Sequence, residues 1–257
     1  MTRLVLSLAF CCCLPLVLAA QDAGAKKDEP APKVRALIVT GDDVPAHPWK
    51  ETTPVMREIL EATGRFDVRV SEDGEILGSK ALANYDVIIL NLRDGPGREV
   101  GAEALKNLQT AVEAGKGLVA VHFSFNAFRN WEGYKDLIGR VWTKGSGHGP
   151  RGQFKVAIAK KDHPITSGLS DFVADDELYA GLVGKTELNV LATSESTHTK
   201  RVEPIAWTLE VGKGKVFSLG LGHDARARRN AWFGVLLARG AEWAATGKVA
   251  PDSPSPR

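Results

Sequence analysis

Cysteine is almost missing from this sequence. The 257-residue chain has three, Cys11, Cys12 and Cys13, all within one N-terminal apolar stretch. If that stretch is removed, the mature chain has none. A disulfide framework, a thiolate metal site and a cysteine nucleophile are then all excluded. A charge excess is missing too: 33 basic residues face 31 acidic ones. No run of Lys or Arg interleaves with aromatics, so a nucleic-acid partner has no electrostatic support. Lys26-Lys27 and Arg226 to Arg229 are short runs that read as solvated surface. Long apolar runs are limited to one, Leu4 to Leu18. It follows Arg3 and ends in Leu18-Ala19-Ala20 before Gln21, the layout of a cleavable export signal. The run falls short of the roughly 20 apolar residues that a spanning helix needs, and Pro15 breaks it. A lipid anchor is disfavoured because Phe10 stands where Gly or Ala should precede Cys11. The expectation is an exported chain, periplasmic or secreted, with residues 1–20 as signal and no membrane span in the mature protein.

The chain then divides by composition. Residues 21–32 (QDAGAKKDEPAP) are small, charged and Pro-containing, which reads as a flexible linker. Residues 33–247 are long enough for one large α/β domain, and 248–257 read as a disordered tail. Strands are expected at Val34 to Thr40, Phe66 to Val70, Tyr85 to Leu90 and Gly117 to Val121. Between them lie helical patterns: one with Thr53 as cap and Pro54 at its first position, ended by Gly64, and one from Glu99 to Ala114. That alternation implies a parallel sheet with helices on both faces. Further strands at Gln153 to Ala159, Leu188 to Ala192, Pro204 to Leu209 and Lys215 to Leu219, then one closing helix from Ala227 to Ala245, imply a mostly parallel sheet with antiparallel additions.

In open sheets of this kind ligands bind beyond the carboxyl ends of the parallel strands. Four ends carry polar groups here. The first leads into Asp42, Asp43 and His47, the third into Asn91, Arg93 and Asp94, the fourth delivers His122, and the strand at Lys215 to Leu219 leads into His223 and Asp224. Each has an ordinary alternative. Asp42 and Asp43 suit turns, Asp94-Gly95-Pro96-Gly97 is good turn chemistry in itself, His163-Pro164 suits a structural turn, and His198 suits an exposed loop. His122 is different, because an imidazole ending a buried apolar strand needs a partner. Gly220 and Gly222 would let the backbone near His223 approach a ligand. His148 lies in a Gly-rich excursion, and Glu177 reads equally as a cap, a solvated acid or a site carboxylate.

Taken together, several segments resemble the ThuA-like (trehalose utilisation) family. They are Ala36 to Gly41 with His47, Gly115 to His122, Trp131 to Gly139, His148, Asp162 to Thr166, Asp176 to Tyr179, Pro204 to Trp207, and Gly212 to His223. The resemblance implies a class I glutamine-amidotransferase-like fold, a flavodoxin-like three-layer sandwich. In true amidotransferases of that fold a cysteine occupies the sharp turn after a central strand. Here His122 stands at that place, so glutaminase chemistry by thiolate attack is excluded. Ser124 has no Gly-x-Ser-x-Gly surround and makes a poor substitute.

The resemblance also implies work in carbohydrate metabolism, on trehalose, a related disaccharide or a 3-keto sugar. Two roles follow. In one, an enzyme uses His122 as general base or acid with Glu177 and His223 as partners, while His47, Asp94, His148 and Tyr179 bind substrate. In the other, a non-catalytic module offers the same rim to a carbohydrate or a protein, with Trp131, Tyr134, Trp142 and Tyr179 stacking on sugar rings. No cofactor is fixed by the residues. Several histidines with carboxylates could hold a divalent metal, yet no His-x-x-x-His or His-Glu-x-x-His spacing is present. A homodimer stays open.

Overall fold

In the first strands every apolar side chain has a core to enter, because both faces are covered. In β1 (Val34–Val39), Ala36 and Ile38 point into one apolar core, Leu37 and Val39 into another. The same split recurs in β3 (Val87–Leu90) and β4 (Gly117–Val121), whose residues are all buried. Continuous apolar runs without polar alternation are what a doubly covered sheet demands. The computed structural model describes residues 32–255 apart from 43, 96, 97, 252 and 254. The expected signal, and all of the expected linker but Pro32, lie outside these residues, as does Asp43.

With β2 (Phe66–Ser71), β5 (Gly147–His148), β6 (Gly152–Ile158), β7 (Phe172–Asp176), β8 (Tyr179–Ala180), β9 (Asn189–Glu195), β10 (Val202–Val211) and β11 (Gly214–Leu219), the strands form a nine-stranded sheet of order β2-β1-β3-β4-β11-β10-β9-β6-β7 and a separate β5-β8 ribbon. Neighbours from β2 to β11 pair in parallel, and those from β11 to β7 antiparallel. The fold is therefore an α/β sheet, parallel from β2 to β11 with antiparallel additions beyond it, as the sequence implies. Among the described residues no helix is long and apolar enough to cross a membrane.

Two helices differ from expectation. α1 runs Trp49–Ala62 and carries Pro54 inside it, so the helix starts about one turn before the expected cap. Thr53 does not cap it. Its hydroxyl donates to Thr40 Oγ1 at 3.2 Å and accepts from Asn91 Nδ2 at 2.9 Å, tying α1 to the ends of β1 and β3. After α2 (Ala102–Glu113) and α3 (Gly133–Ile138), the expected single closing helix is two, α4 (Ala225–Arg228) and α5 (Ala231–Thr246). Asn230 accepts from Trp232 N at 2.9 Å and caps α5 afresh, as Asn is suited to do. In the tail, Ser253 donates to Glu242 at 2.8 Å, and Arg239 donates to Ser255 at 3.2 Å.

Candidate functional site

β4 and β11 are neighbours, so the residues just after them arrive side by side. After β4 the chain turns sharply into a 3-10 turn, and His122 adopts φ +43° while fully buried. A non-glycine residue held there costs about 1–3 kcal/mol and persists only where its surroundings fix it. Two contacts do so. Val121 N donates to Ser124 Oγ at 2.9 Å, and His122 Nδ1 donates to Gly220 O at 2.8 Å. A carbonyl can only accept, so the proton sits on Nδ1 and the Nε2 lone pair faces inward. Ser124 is fully buried and bound to this turn, as its poor surround suggested.

His47, in the loop after β1, is oriented in the same way. Its Nδ1 donates to His223 O at 3.2 Å, its ring stacks on Phe123 (4.9 Å, 12°), and its Nε2 accepts from the Tyr179 hydroxyl at 3.2 Å. Burial first, then the nearby His122, pushes its pKa down to about 3, so His47 is neutral at physiological pH. The Tyr179 ring stacks on His122 with centroids 4.0 Å apart. Burial, then Glu177, pushes its phenol above the ordinary range, so it stays a hydrogen-bond donor.

Glu177 sits at the centre. His122 Nε2 lies 3.6 Å and His223 Nδ1 3.1 Å from its Oε2, while His148 Nδ1 lies 3.1 Å from its Oε1. Burial alone would raise its pKa, but the imidazoles of His122 and His223 outweigh that and hold the carboxylate below the usual range. Glu177 in turn, through the close approach of its carboxylate, raises the pKa of His223. His122 Nε2 and His223 Nδ1 are buried atoms without a well-formed hydrogen bond. The side chain of His148 is 43 % exposed and forms the mouth.

A second layer positions these groups. Asp176 accepts from three backbone N–H groups, those of Glu177 (2.8 Å), His223 (3.0 Å) and Gly222 (2.7 Å). Arg228, fully buried, donates to Gly222 O and Asn91 Oδ1, both at 2.8 Å. Gly222 takes φ +106°, and a Cβ there would lie 2.6 Å from the Phe233 ring. Its glycine is therefore required by the turn and by Phe233. Arg151 bridges Asp175 (2.9 Å) and Asp224 (2.8 Å), and Arg226 also pairs with Asp175, so two cations balance the two acids that flank the centre.

One carboxylate and the imidazoles of His47, His122 and His223 present donor atoms all within 4.8 Å of one another. The structure thus brings together His47, His122, His148, Glu177, Tyr179 and His223. It directs Asp94 elsewhere: the Asp94 carboxylate accepts from Phe128 N. His163 is structural, its Nδ1 accepting from Ile165 N and its ring against Trp243, and His198 is exposed. Tyr134 is core, its hydroxyl donating to Ser124 O at 2.8 Å. Sequence reasoning missed the positioning residues Asp176 and Arg228. The run of three acids at 175–177 was the available signal for the first.

The ThuA family, described as trehalose utilisation, matches residues 35–244. A ThuA-like protein from Parabacteroides merdae is similar in structure at 27 % identity and TM-score 0.76, over 87 % of this chain and 94 % of that one. One from Bacteroides uniformis is similar at 20 % identity and TM-score 0.64, over 86 % and 96 %. A β-galactosidase from Bacillus circulans shares the fold alone, at 15 % identity and TM-score 0.58, over 81 % of this chain and 31 % of that one. No match is found among curated proteins.

Proposed function

The chain belongs to the ThuA family of trehalose utilisation, and from that premise we propose that its His–Glu centre binds a divalent metal and performs acid–base chemistry on a sugar of the trehalose type, a disaccharide or its 3-keto derivative. The observation that carries this reading is the orientation of His47 and His122. Each Nδ1 is bound to a backbone carbonyl (3.2 and 2.8 Å), which leaves each Nε2 lone pair aimed inward beside Glu177 and His223. Outer-shell bonds of this kind fix ring and tautomer in metal-ligating histidines. Three imidazoles and a carboxylate suit zinc and other first-row divalent ions.

When bound, such an ion polarises a sugar carbonyl or lowers the pKa of a water. The chain's own groups do the rest. His148, exposed and within 3.1 Å of Glu177, exchanges protons between the centre and solvent. The Tyr179 hydroxyl, which donates to His47 Nε2, would be free to bind a substrate hydroxyl if that nitrogen were to hold a metal. Phe123 and Tyr179 exclude water from the imidazoles against which they stack.

The test is turnover of trehalose and 3-ketotrehalose by metal-loaded protein. His122→Ala and Glu177→Gln should each lose about 100-fold or more, the scale of acid–base participation. Equal rates in wild type and both variants would contradict the reading, and sugar binding without turnover would favour the module. Export belongs to the same proposal, on the strength of Arg3, Leu4 to Leu18 and Ala19-Ala20. Amino-terminal sequencing of the protein from a periplasmic or culture fraction should begin at Gln21, and recovery of an intact Met1 in the cytoplasm would refute it.

A further inference from the structure

Of the six tryptophans, all described, Trp207, Trp243 and Trp49 are buried, Trp232 is half-buried and stacked on Phe172, and Trp131 and Trp142 are half-buried on another face. These two line one cavity of about 530 Å³, together with Phe128, Arg129, Thr143 and Lys144. That volume falls in the range of roughly 300–1,000 Å³ occupied by small-molecule sites.

The cavity adjoins the His–Glu centre through a single side chain. The Trp142 ring packs against Tyr179 (4.6 Å, 63°) and lies 6.1 Å from His148, while Tyr179 also stacks on His122 at 4.0 Å. A ligand reaching from the centre past Tyr179 would thus next meet indole.

The cavity wall is also held in a strained shape. Phe128 takes φ +49° and is fully buried, and its N–H is gripped by Asp94. This fixes the segment that carries Arg129 and Trp131. Such backbone strain gathers at ligand-binding segments that the surroundings over-determine. It also gives Asp94 a role, as the anchor of this wall.

The chemistry of the lining indicates the occupant. Indole faces are flat and apolar and match the C–H face of a pyranose ring, while charged groups at the rim reach its hydroxyls. Arg129 is oriented by its bond to Asn126 Oδ1 at 2.7 Å, and Glu132 is paired with Lys135, so the rim offers both donors and acceptors, with the cations Arg129, Lys135 and Lys144 outnumbering the single carboxylate.

We propose that the cavity between Trp131 and Trp142 is a second glycosyl subsite, which holds one sugar ring of a disaccharide while the other ring occupies the His–Glu centre. It rests on the reading that this centre works on disaccharides, and it adds where the second ring goes and which residues select for it.

The experiment is isothermal titration of the full mature chain with trehalose and, separately, with glucose, on wild type, Trp131→Ala and Trp142→Phe. Thermal melts confirm that each variant is folded. Wild type should bind trehalose at least about tenfold more tightly than glucose. Trp131→Ala should weaken trehalose about fivefold or more, on the scale of an aromatic stacking contact, and leave glucose within about twofold. Trehalose should also quench wild-type tryptophan fluorescence, and the quench should shrink in Trp142→Phe. The inference is overturned if folded variants keep the wild-type preference, if wild type does not prefer trehalose to glucose, or if it binds neither at about 50 mM, where millimolar affinities would register. Turnover is scored separately. A wild type that prefers trehalose through Trp131 yet turns nothing over sinks the catalytic reading and leaves the subsite standing.

Discussion

The buried carboxylate of Asp176 holds the backbone of His223, accepting its N–H at 3.0 Å. The same carboxylate accepts from Glu177 N and Gly222 N at 2.8 and 2.7 Å, so one residue sets the backbones of two members of the centre. Asp176→Asn keeps the shape but replaces one acceptor oxygen with a donor that faces an N–H. The expected result is about 1.5–3 kcal/mol lost in denaturant unfolding. Metal affinity should fall roughly 10- to 100-fold, as for outer-shell changes at other metal sites. Unchanged affinity in a folded variant would show that Asp176 plays no positioning part.

Gly222 is expected to tolerate no side chain. Its φ of +106° is strained for any L-residue, and a Cβ would meet Phe233 at 2.6 Å. Gly222→Ala should cost about 1–3 kcal/mol and displace His223. A melting temperature equal to wild type would contradict this.

The pH dependence of the metal-free protein should carry the signature of His47. Its folded pKa is about 3, against roughly 6.5 in an unfolded chain. Between those values the unfolded chain binds a proton that the folded one does not. Stability therefore falls as pH drops from about 6.5 towards 3, by up to about 1.4 kcal/mol per unit. His223, raised by Glu177, acts in the opposite sense, with a contribution present at low pH and lost as pH rises through its folded value. The difference between wild type and His47→Phe isolates the first effect. Urea unfolding of chelator-treated protein between about pH 3.5 and 6.5, on the acid side of the unfolded value, should give a flatter profile for His47→Phe, and parallel profiles would refute it.

Ser124→Ala separates a structural hydroxyl from a nucleophile. The Ser124 oxygen accepts from Val121 N at 2.9 Å and is buried. Its loss should cost about 1–3 kcal/mol of stability, the desolvation of one unpaired N–H. It should leave metal content intact. If a chemical step were abolished while His122 kept its place, serine chemistry would have to be reconsidered.

The parallel half of the fold was legible because its signal is local. Gly117 to Val121 has no polar residue, and a strand buried on both faces reads as just such a run. His122 and His223 were legible for the same reason, since His122 directly follows β4 and His223 lies in the short loop after β11. Thr53 was misread as a cap because its partners, Thr40 and Asn91, are 13 and 38 residues away in sequence. The separate cap at Asn230 was hidden inside an otherwise apolar helical pattern. Asp94 looked like a rim acid after the third strand and instead anchors Phe128. The convergence of Glu177 depends on the β5–β8 ribbon, two residues per strand, in which His148 pairs with Tyr179. No periodicity can show so short a pairing.

The central claim is that His47, His122, Glu177 and His223 hold a metal. The most direct measurement is metal content of the purified mature chain by plasma mass spectrometry, beside His122→Ala and His223→Ala, with folding checked by circular dichroism. The account predicts about one equivalent of a divalent transition metal per chain, as for a single three-His, one-carboxylate site, and its loss in both variants. A folded wild type that neither contains nor takes up such a metal on titration, or variants that retain it in full, would contradict the account.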